Sequence, residues 1–452
     1  MRLRKTITTI VATAILLAGW QLFAVIANQP ELIPSLPRLV RTLCEWLVSG
    51  SFYQSVGATI LRGVLGMSIS FVCAIGMAGL FARFEWVYEL FRPLLAIMRS
   101  IPVISFILLA LIFLNPESIP LMIAFLTMFP LLTENLTRGI LDLHPGLSIM
   151  ARQFHIRRSN VLFQIIYPQL KPFLYSGLAS AAGFGWRAII MGEVLSQCAF
   201  GIGSEMKRAQ NFIAVPELLA WTIVAVFISF FFDKGISKVA DITPKISFAN
   251  EDQTIPTPTL SVLDTKDISY QYGIQHFSHS FQKGIIYGIS APSGKGKTTL
   301  LNLIGGILLP TEGEIHPTRH FGIATIFQQP QLLPHLTAEE NIILPLSSFL
   351  TEEKARRIAQ KHLQEMEMEP FGNRYPKELS YGQQQRIAIA RALAYPSPLL
   401  LMDEPFKGLD EALSHRIIER IREKQMKEER IILFTSHNPD EIRLLADEVI
   451  YL

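Results

Sequence analysis

The 452-residue chain is 50% hydrophobic and only 17% charged, with a formal net charge of +3 at pH 7. So little charge argues against an ordinary soluble composition, in which about a quarter of residues are charged, and with no long Lys/Arg run nucleic acid is not an expected partner. Cys44, Cys73 and Cys198 lie far apart without close Cys or His neighbours, which points to packing rather than a zinc site.

Nearly all long apolar runs precede Asp233, so the chain is expected to divide into an all-α polytopic membrane domain (1–237), a linker (238–259) and an α/β domain (260–452). A hydrocarbon core of about 30 Å takes about 20 apolar helical residues. Six segments fit: Ile7–Ile26, Ser55–Phe81, Leu94–Leu114, Ile119–Leu136, Phe173–Leu195 and Leu218–Phe232. The first follows Arg2, Arg4 and Lys5 but is too long for a secretory leader and lacks a small-residue cleavage site, so a retained span is expected. Arg138, Arg152, Arg157, Arg158 and Lys171 crowd the loop between the fourth and fifth spans, whereas residues 115–118 carry no basic group. The positive-inside rule therefore places the N-terminus, that loop and the C-terminal half in the cytoplasm, with Lys207 and Arg208 as a counter-signal.

Within the fifth span, Gly177, Ala179, Ala181, Gly183 and Gly185 form small-residue ridges suited to a helix seam or a subunit interface. Arg187 and Glu193 are ionisable groups at membrane depth. Six residues apart, they occupy different faces and are not expected to pair. For Arg187 a structural salt bridge or snorkelling to the surface is expected, with anion attraction as the functional alternative. From Lys238 to Pro258 the chain is polar and contains Pro244, Pro256 and Pro258, an extended tether by composition.

Residues 286–299 read as an apolar strand, a small-residue loop and a helix start. Polyphosphate binding needs inward backbone N–H groups, a cation and a hydroxyl for Mg²⁺. Ser293, Gly294, Lys295 and Gly296 supply the wrap, Lys297 the charge, Thr298 the metal ligand and Thr299 the helix's first turn, placing the phosphates at the helix N-terminus. Ala291 replaces the first glycine of the GxxxxGK[ST] pattern, so a slightly strained loop is expected. Farther on, Leu399 to Met402 make a buried strand that ends in Asp403 and Glu404. Asp403 is placed to hold Mg²⁺ and Glu404 to orient or deprotonate a water.

Between these motifs lies Leu379-Ser380-Tyr381-Gly382-Gln383, ahead of an Arg-containing helix. Residues 260–452 thereby resemble the ATP-binding cassette family, whose signature reads LSGGQ. The resemblance implies that Ser380, Gly382 and Gln383 contact ATP bound to an opposite subunit, with Tyr381 standing where the first signature glycine is usual. It further implies that Gln328 contacts Mg²⁺ and the attacking water, that Asp410 belongs to the D-loop and His437 is the switch histidine, and that Tyr272, or its rival Tyr270, stacks on adenine. Thr337–Lys377 matches the family's helical subdomain, and no appended domain is expected after Leu452.

The loop Ile149–His155, with Ile165 and Pro168 beyond it, resembles the EAA-type loop of bacterial binding-protein-dependent importers. In that family it is a short helix docking on the ATPase. Ala151, Ile165 and Pro168 match; Ile149, Met150, His155 and Tyr167 depart from the usual Glu, Ala, Gly and Leu. Arg99–Val103, Gly185–Ala188 and Gly201–Gly203 are similar to permeases for sulfonates, taurine, nitrate or pyrimidine thiamine precursors. Together the resemblances imply ATP and Mg²⁺ as ligands, a second copy of the chain, an extracytoplasmic substrate-binding protein, the lipid bilayer, and ATP-driven import across the inner membrane. A half-size exporter and a nucleotide-switched, non-transporting membrane protein are the alternatives.

Overall fold

The computed structural model describes residues 2–240, 244–253, 260–271, 273–292, 294–317 and 322–452. Contacts divide the chain into two units, Met1–Leu143 with Gln169–Thr243, and His144–Pro168 with Pro244–Leu452.

Apolar composition makes the first unit helical. Among the described residues four helices are long and apolar enough to cross a membrane: Gly50–Arg83, Pro116–Leu141, Arg158–Ser196 and Val215–Ala240. The first expected span falls in helix Arg2–Ala27, whose apolar part is Val11–Ala27. The third expected span, Leu94–Leu114, is not one helix: Glu85–Ser100 and Val103–Phe113 meet at 95°. Pro102 lacks an amide hydrogen and drives Ile101 into extended backbone (φ −70°, ψ 130°), which ends the first helix.

Small residues set the packing here, as expected where lipid offers no hydrophobic drive between helices. Thr59, Gly63, Gly66, Ser70, Ala74 and Ala78 are buried along Gly50–Arg83, and a Cβ on Gly66 would stand 2.6 Å from the Ala124 Cβ of helix Ile119–Leu141. Gly177, Ala181 and Gly185 face the same helix: a Cβ on Gly185 would overlap Met128 and one on Gly177 would stand 3.0 Å from Asn135. The seam read in the fifth span is thus used inside this unit, while Gly183 faces open space.

In the second unit, strands β1 (Val262–Tyr270), β2 (Ile274–Gln282), β3 (Ile286–Ser290), β4 (Glu312–His316), β5 (Ala324–Ile326), β6 (Leu399–Asp403), β7 (Ile431–Thr435) and β8 (Glu448–Tyr451) form two sheets. One is antiparallel, β2-β1-β4; the other is parallel, β5-β6-β7-β3-β8. Every residue of β6 and β7 is buried, the continuous apolar pattern of a parallel strand covered on both faces. Helices Ala338–Leu346, Glu352–Glu365 and Tyr381–Ala394 share one core with Leu147, Met150, Ala151, Phe154, Ile156 and Ile165. The segment 144–168 is therefore packed into the ATPase-like unit.

Candidate nucleotide site and its docking segment

β3 runs into the loop 291–296, and helix Lys297–Ile304 follows. Gly296 caps that helix in the left-handed conformation (φ +95°), and a Cβ there would stand 2.8 Å from the Gly273 oxygen. Gly294 is also left-handed (φ +81°), whereas Ala291 has no positive φ. Among the described loop residues, left-handed backbone falls on these two glycines, so alanine at position 291 meets no backbone strain of its own. Lys297, 7% exposed, folds back so that Nζ donates to the Ala291 oxygen at 2.6 Å, and it lies 3.5 Å from His437 Nδ1. Lys295 is exposed and Thr299 half-buried in the first helical turn. Ser293 and Tyr272 lie outside the described residues. Tyr270, the rival adenine platform, packs on the core beneath the sheets.

The carboxyl ends of the parallel strands gather the other groups, as in open α/β sheets generally. Thr298 Oγ1 donates to Asp403 Oδ2 at 2.9 Å, and Thr435 Oγ1 to Asp403 Oδ1 at 2.7 Å. Burial pushes the Asp403 carboxyl above its ordinary range; the hydroxyls of Thr435 and Thr298 offset this only in part. Glu404 turns left-handed (φ +47°), and its N–H donates to Thr435 Oγ1 at 3.1 Å. Its carboxylate meets His437 Nε2 at 3.1 Å and Lys407 Nζ at 3.3 Å. Burial acts to raise Glu404, but the hydrogen bond from Gln328 and the charges of Lys407 and His437 outweigh it, and the carboxyl lies below its usual range. Sequence reading missed Thr435 and Lys407; only their places beside His437 and Glu404 could have flagged them.

Thr298 and Asp403 are hard oxygen donors already in contact, which fits Mg²⁺ held by one or two protein oxygens plus phosphates. No cluster of three or more His, Cys, Asp or Glu that could hold a metal occurs among the described residues, and such a site does not need one.

The signature residues have roles within their own chain. Ser380 Oγ accepts from Gln383 N at 3.3 Å while Gln383 Oε1 accepts from Ser380 N at 2.9 Å, a capping box that starts helix Tyr381–Ala394. A Cβ on Gly382 would stand 2.6 Å from the Gly408 oxygen, so glycine permits this close approach. Asp410 Oδ1 accepts from Leu413 N at 2.8 Å and caps helix Glu411–Glu428. These contacts leave Ser380, Gln383 and Asp410 bonded at their own helix starts.

Helix Pro145–Gln153 docks on the same unit. Gln153 Nε2 donates to the oxygen of Gly305, the cap at the far end of the phosphate-loop helix, at 2.8 Å; the Gln153 backbone carbonyl accepts from Ile323 N at 2.8 Å. Phe154 stacks edge-on against Tyr395 at 5.2 Å and lies under the Arg391 guanidinium at 5.4 Å. Arg391, fully buried, donates to the oxygens of Pro330 and Gln331 at 2.8 and 2.7 Å. A cavity of about 260 Å³ lies between Gly146 and Ile149 of this helix, Gln328, Gln329 and Gln331, and Thr298 with Asp403. His155, where the family has glycine, is left-handed (φ +45°), which explains the usual residue.

The segment Pro244–Gln253 is fastened rather than free. Asn160 exchanges two 2.8 Å hydrogen bonds with the Ser247 backbone and donates to Ser347 Oγ. Ala249 N donates to Ser347 O, Gln253 N to Phe349 O, and Asp252 accepts from Thr351 N and Oγ1. That part of the expected tether is a strap, because paired backbone groups here replace solvent.

In the first unit, Glu193 is fully buried and does not pair with Arg187. Its carboxylate takes Arg62 Nη1 at 2.7 Å, Thr59 Oγ1 at 2.9 Å and Gly203 N at 2.9 Å. Arg62 also reaches Glu117 at 2.6 Å. Gly201 and Gly203 are small because a Cβ on either would collide with Glu193. Arg187 is exposed on the surface of its helix. Arg62 was missed in the sequence because its partners are 55 and 131 residues away.

Two family models match. The model for ABC transporters covers residues 274–407, and that for the binding-protein-dependent transport system inner membrane component covers residues 68–233. An ABC transporter ATP-binding protein of Methanocaldococcus jannaschii is 34% identical over 201 residues, 40% of this chain and 85% of that protein. The thiamine import ATP-binding protein ThiQ of Yersinia pseudotuberculosis is 34% identical over 205 residues, 42% of this chain and 86% of that protein. The Fe(3+) ions import ATP-binding protein FbpC of Rhizobium etli is 35% identical over 189 residues, 40% of this chain, and the chain spans about half of that relative's length, 54%. The chain belongs to the ABC transporter family, with an inner-membrane component of the binding-protein-dependent type followed by an ATP-binding cassette.

Proposed function

We propose that the chain is a multi-pass inner-membrane importer subunit that hydrolyses ATP on the cytoplasmic side to move a small solute inward. The convergence of Lys297, Thr298, Gln328, Asp403, Glu404 and His437 at the carboxyl ends of one parallel sheet carries this reading. Lys297 is placed to exchange the Ala291 carbonyl for a phosphate oxygen. Thr298 and Asp403 would hold Mg²⁺, which would supply charge neutralisation at the phosphates. Glu404, ionised through the neutral range, accepts the proton of the attacking water as the new P–O bond forms and the bond to ADP breaks. Gln328 and His437 hold Glu404 from two sides.

Transport rests on the docking of residues 144–168 into the ATPase unit. One membrane half and one cassette per chain call for two copies, with an extracytoplasmic binding protein delivering the solute. The domains proposed are 1–237, the linker 238–259 and 260–452, and the solute class proposed is sulfonate, taurine, nitrate or a pyrimidine thiamine precursor. Proteoliposomes test this reading: uptake requiring both ATP and the binding protein is the expected result, and nucleotide binding without turnover or uptake refutes it.

A further inference from the structure

Tyr381 stands at the first helical position after the Ser380 cap. Its side chain touches two neighbouring segments of its own chain. The hydroxyl donates to the Gln328 oxygen at 2.7 Å. The ring lies on Gly408, where an added Cβ would stand 2.7 Å from Tyr381 Cδ1.

Ten residues along the same helix, Arg391 donates to the oxygens of Pro330 and Gln331. One helix therefore grips the loop 328–331 at both ends, through three side-chain-to-carbonyl hydrogen bonds. A glycine at position 381 leaves the Gln328 end ungripped. That end carries the amide that meets Glu404, and the other end reaches Gly146 of the docking helix, where an added Cβ would crowd the Gln331 side chain.

We propose that Tyr381 is a positioning residue: its hydroxyl fastens the Gln328 loop to the start of the signature helix and thereby sets how Gln328 meets Glu404. Any displacement of that helix then carries the loop with it at both ends. This rests on the ATPase reading for its kinetic consequence but not for its structural one. The hydroxyl is the part that matters, since the ring's contact with Gly408 survives in phenylalanine.

The test compares wild type, Tyr381→Phe and Tyr381→Gly as full chains in lipid nanodiscs. Loss of one hydrogen bond predicts about fivefold faster hydrogen exchange at the amides of Gln328, Gln329 and Gln331 in Tyr381→Phe. Its kcat is expected to fall about three- to tenfold with the KM for ATP within twofold, since the latch acts on Glu404 rather than on nucleotide affinity. Tyr381→Gly should show at least the same changes. Wild-type exchange in Tyr381→Phe, or faster exchange with an unaltered kcat, overturns the proposal. Exchange is read without turnover, so an inactive wild type counts against the ATPase reading while exchange still decides the latch.

Discussion

Asn160→Ala asks whether the strap is held by one buried amide. Asn160 is 1% exposed and makes three hydrogen bonds of 2.8 Å, two with the Ser247 backbone and one with Ser347 Oγ. At about 1 kcal/mol net each, their gross loss is about 3 kcal/mol. Ser247 is exposed and can turn its backbone groups to water, and Ser347 keeps its own bond to the Leu344 oxygen at 2.6 Å, so the surviving cost is about 1–2 kcal/mol. Melting of the ATPase unit should fall by about 2–8 °C. Hydrogen exchange should quicken at Ser247, while Ala249, held by the Ser347 oxygen at 3.0 Å, keeps more of its protection. An Asn160→Ala protein with unaltered melting and an equally protected Ser247 refutes the reasoning.

Glu404→Gln should reduce ATP turnover by about 10²–10⁴-fold while nucleotide still binds and holds two chains together, as measured by phosphate release and sedimentation; near-wild-type turnover contradicts its role. Asp403→Asn should raise the melting temperature in EDTA at pH 7 while abolishing hydrolysis. Burial lifts the Asp403 carboxyl above its unfolded value, so its ionised form opposes folding once pH exceeds the folded value, and asparagine removes that charge. His362, buried beside Lys424 Nζ at 3.2 Å, is pushed down to about 3 by burial and then by the charges of Lys424, Lys361 and Arg430. The unfolded chain therefore takes up a proton that the fold refuses as pH drops below about 6.5, at about 2 kcal/mol by pH 5. His362→Gln should flatten the acid arm of a urea-midpoint profile between pH 7 and 5, and an unchanged arm would falsify the assignment.

What the sequence disclosed and what it withheld follow from range. The phosphate loop, the strand ending in Asp403 and Glu404, and the Ser380 cap are local patterns, each specified by neighbours within a few residues. The break at Pro102 was equally local, but the apolar content of residues 94–114 hid it, because hydropathy counts residues and ignores a missing amide hydrogen. The Arg62–Glu193 pair and the grip of Asn160 on Ser247 join positions 131 and 87 residues apart. No periodicity reports such pairings. For Asp410 and Gln383, the helix caps account for the contacts inside the chain.

The phosphate end of the ATPase unit and its docking segment are joined by two mechanically different arms. Helix Lys297–Ile304 has its N-terminus at the phosphate loop and its C-terminal cap on Gln153. Eight residues span about 12 Å as a rigid rod of backbone hydrogen bonds, so this arm transmits position without changing shape. The second arm, residues 328–331, lacks helix and strand and is gripped through its carbonyls by Tyr381 and Arg391. It can change shape when the gripping helix moves. ATP can shift a conformational equilibrium only through different affinities for its states. A site built on the rigid arm alone would present the same groups in every arrangement of the unit. Gln328, on the deformable arm, is the group whose distance from Glu404 can differ between states, so hydrolysis is tied to conformation there, and in the proposed cycle the difference in ATP affinity comes from the second copy's signature loop.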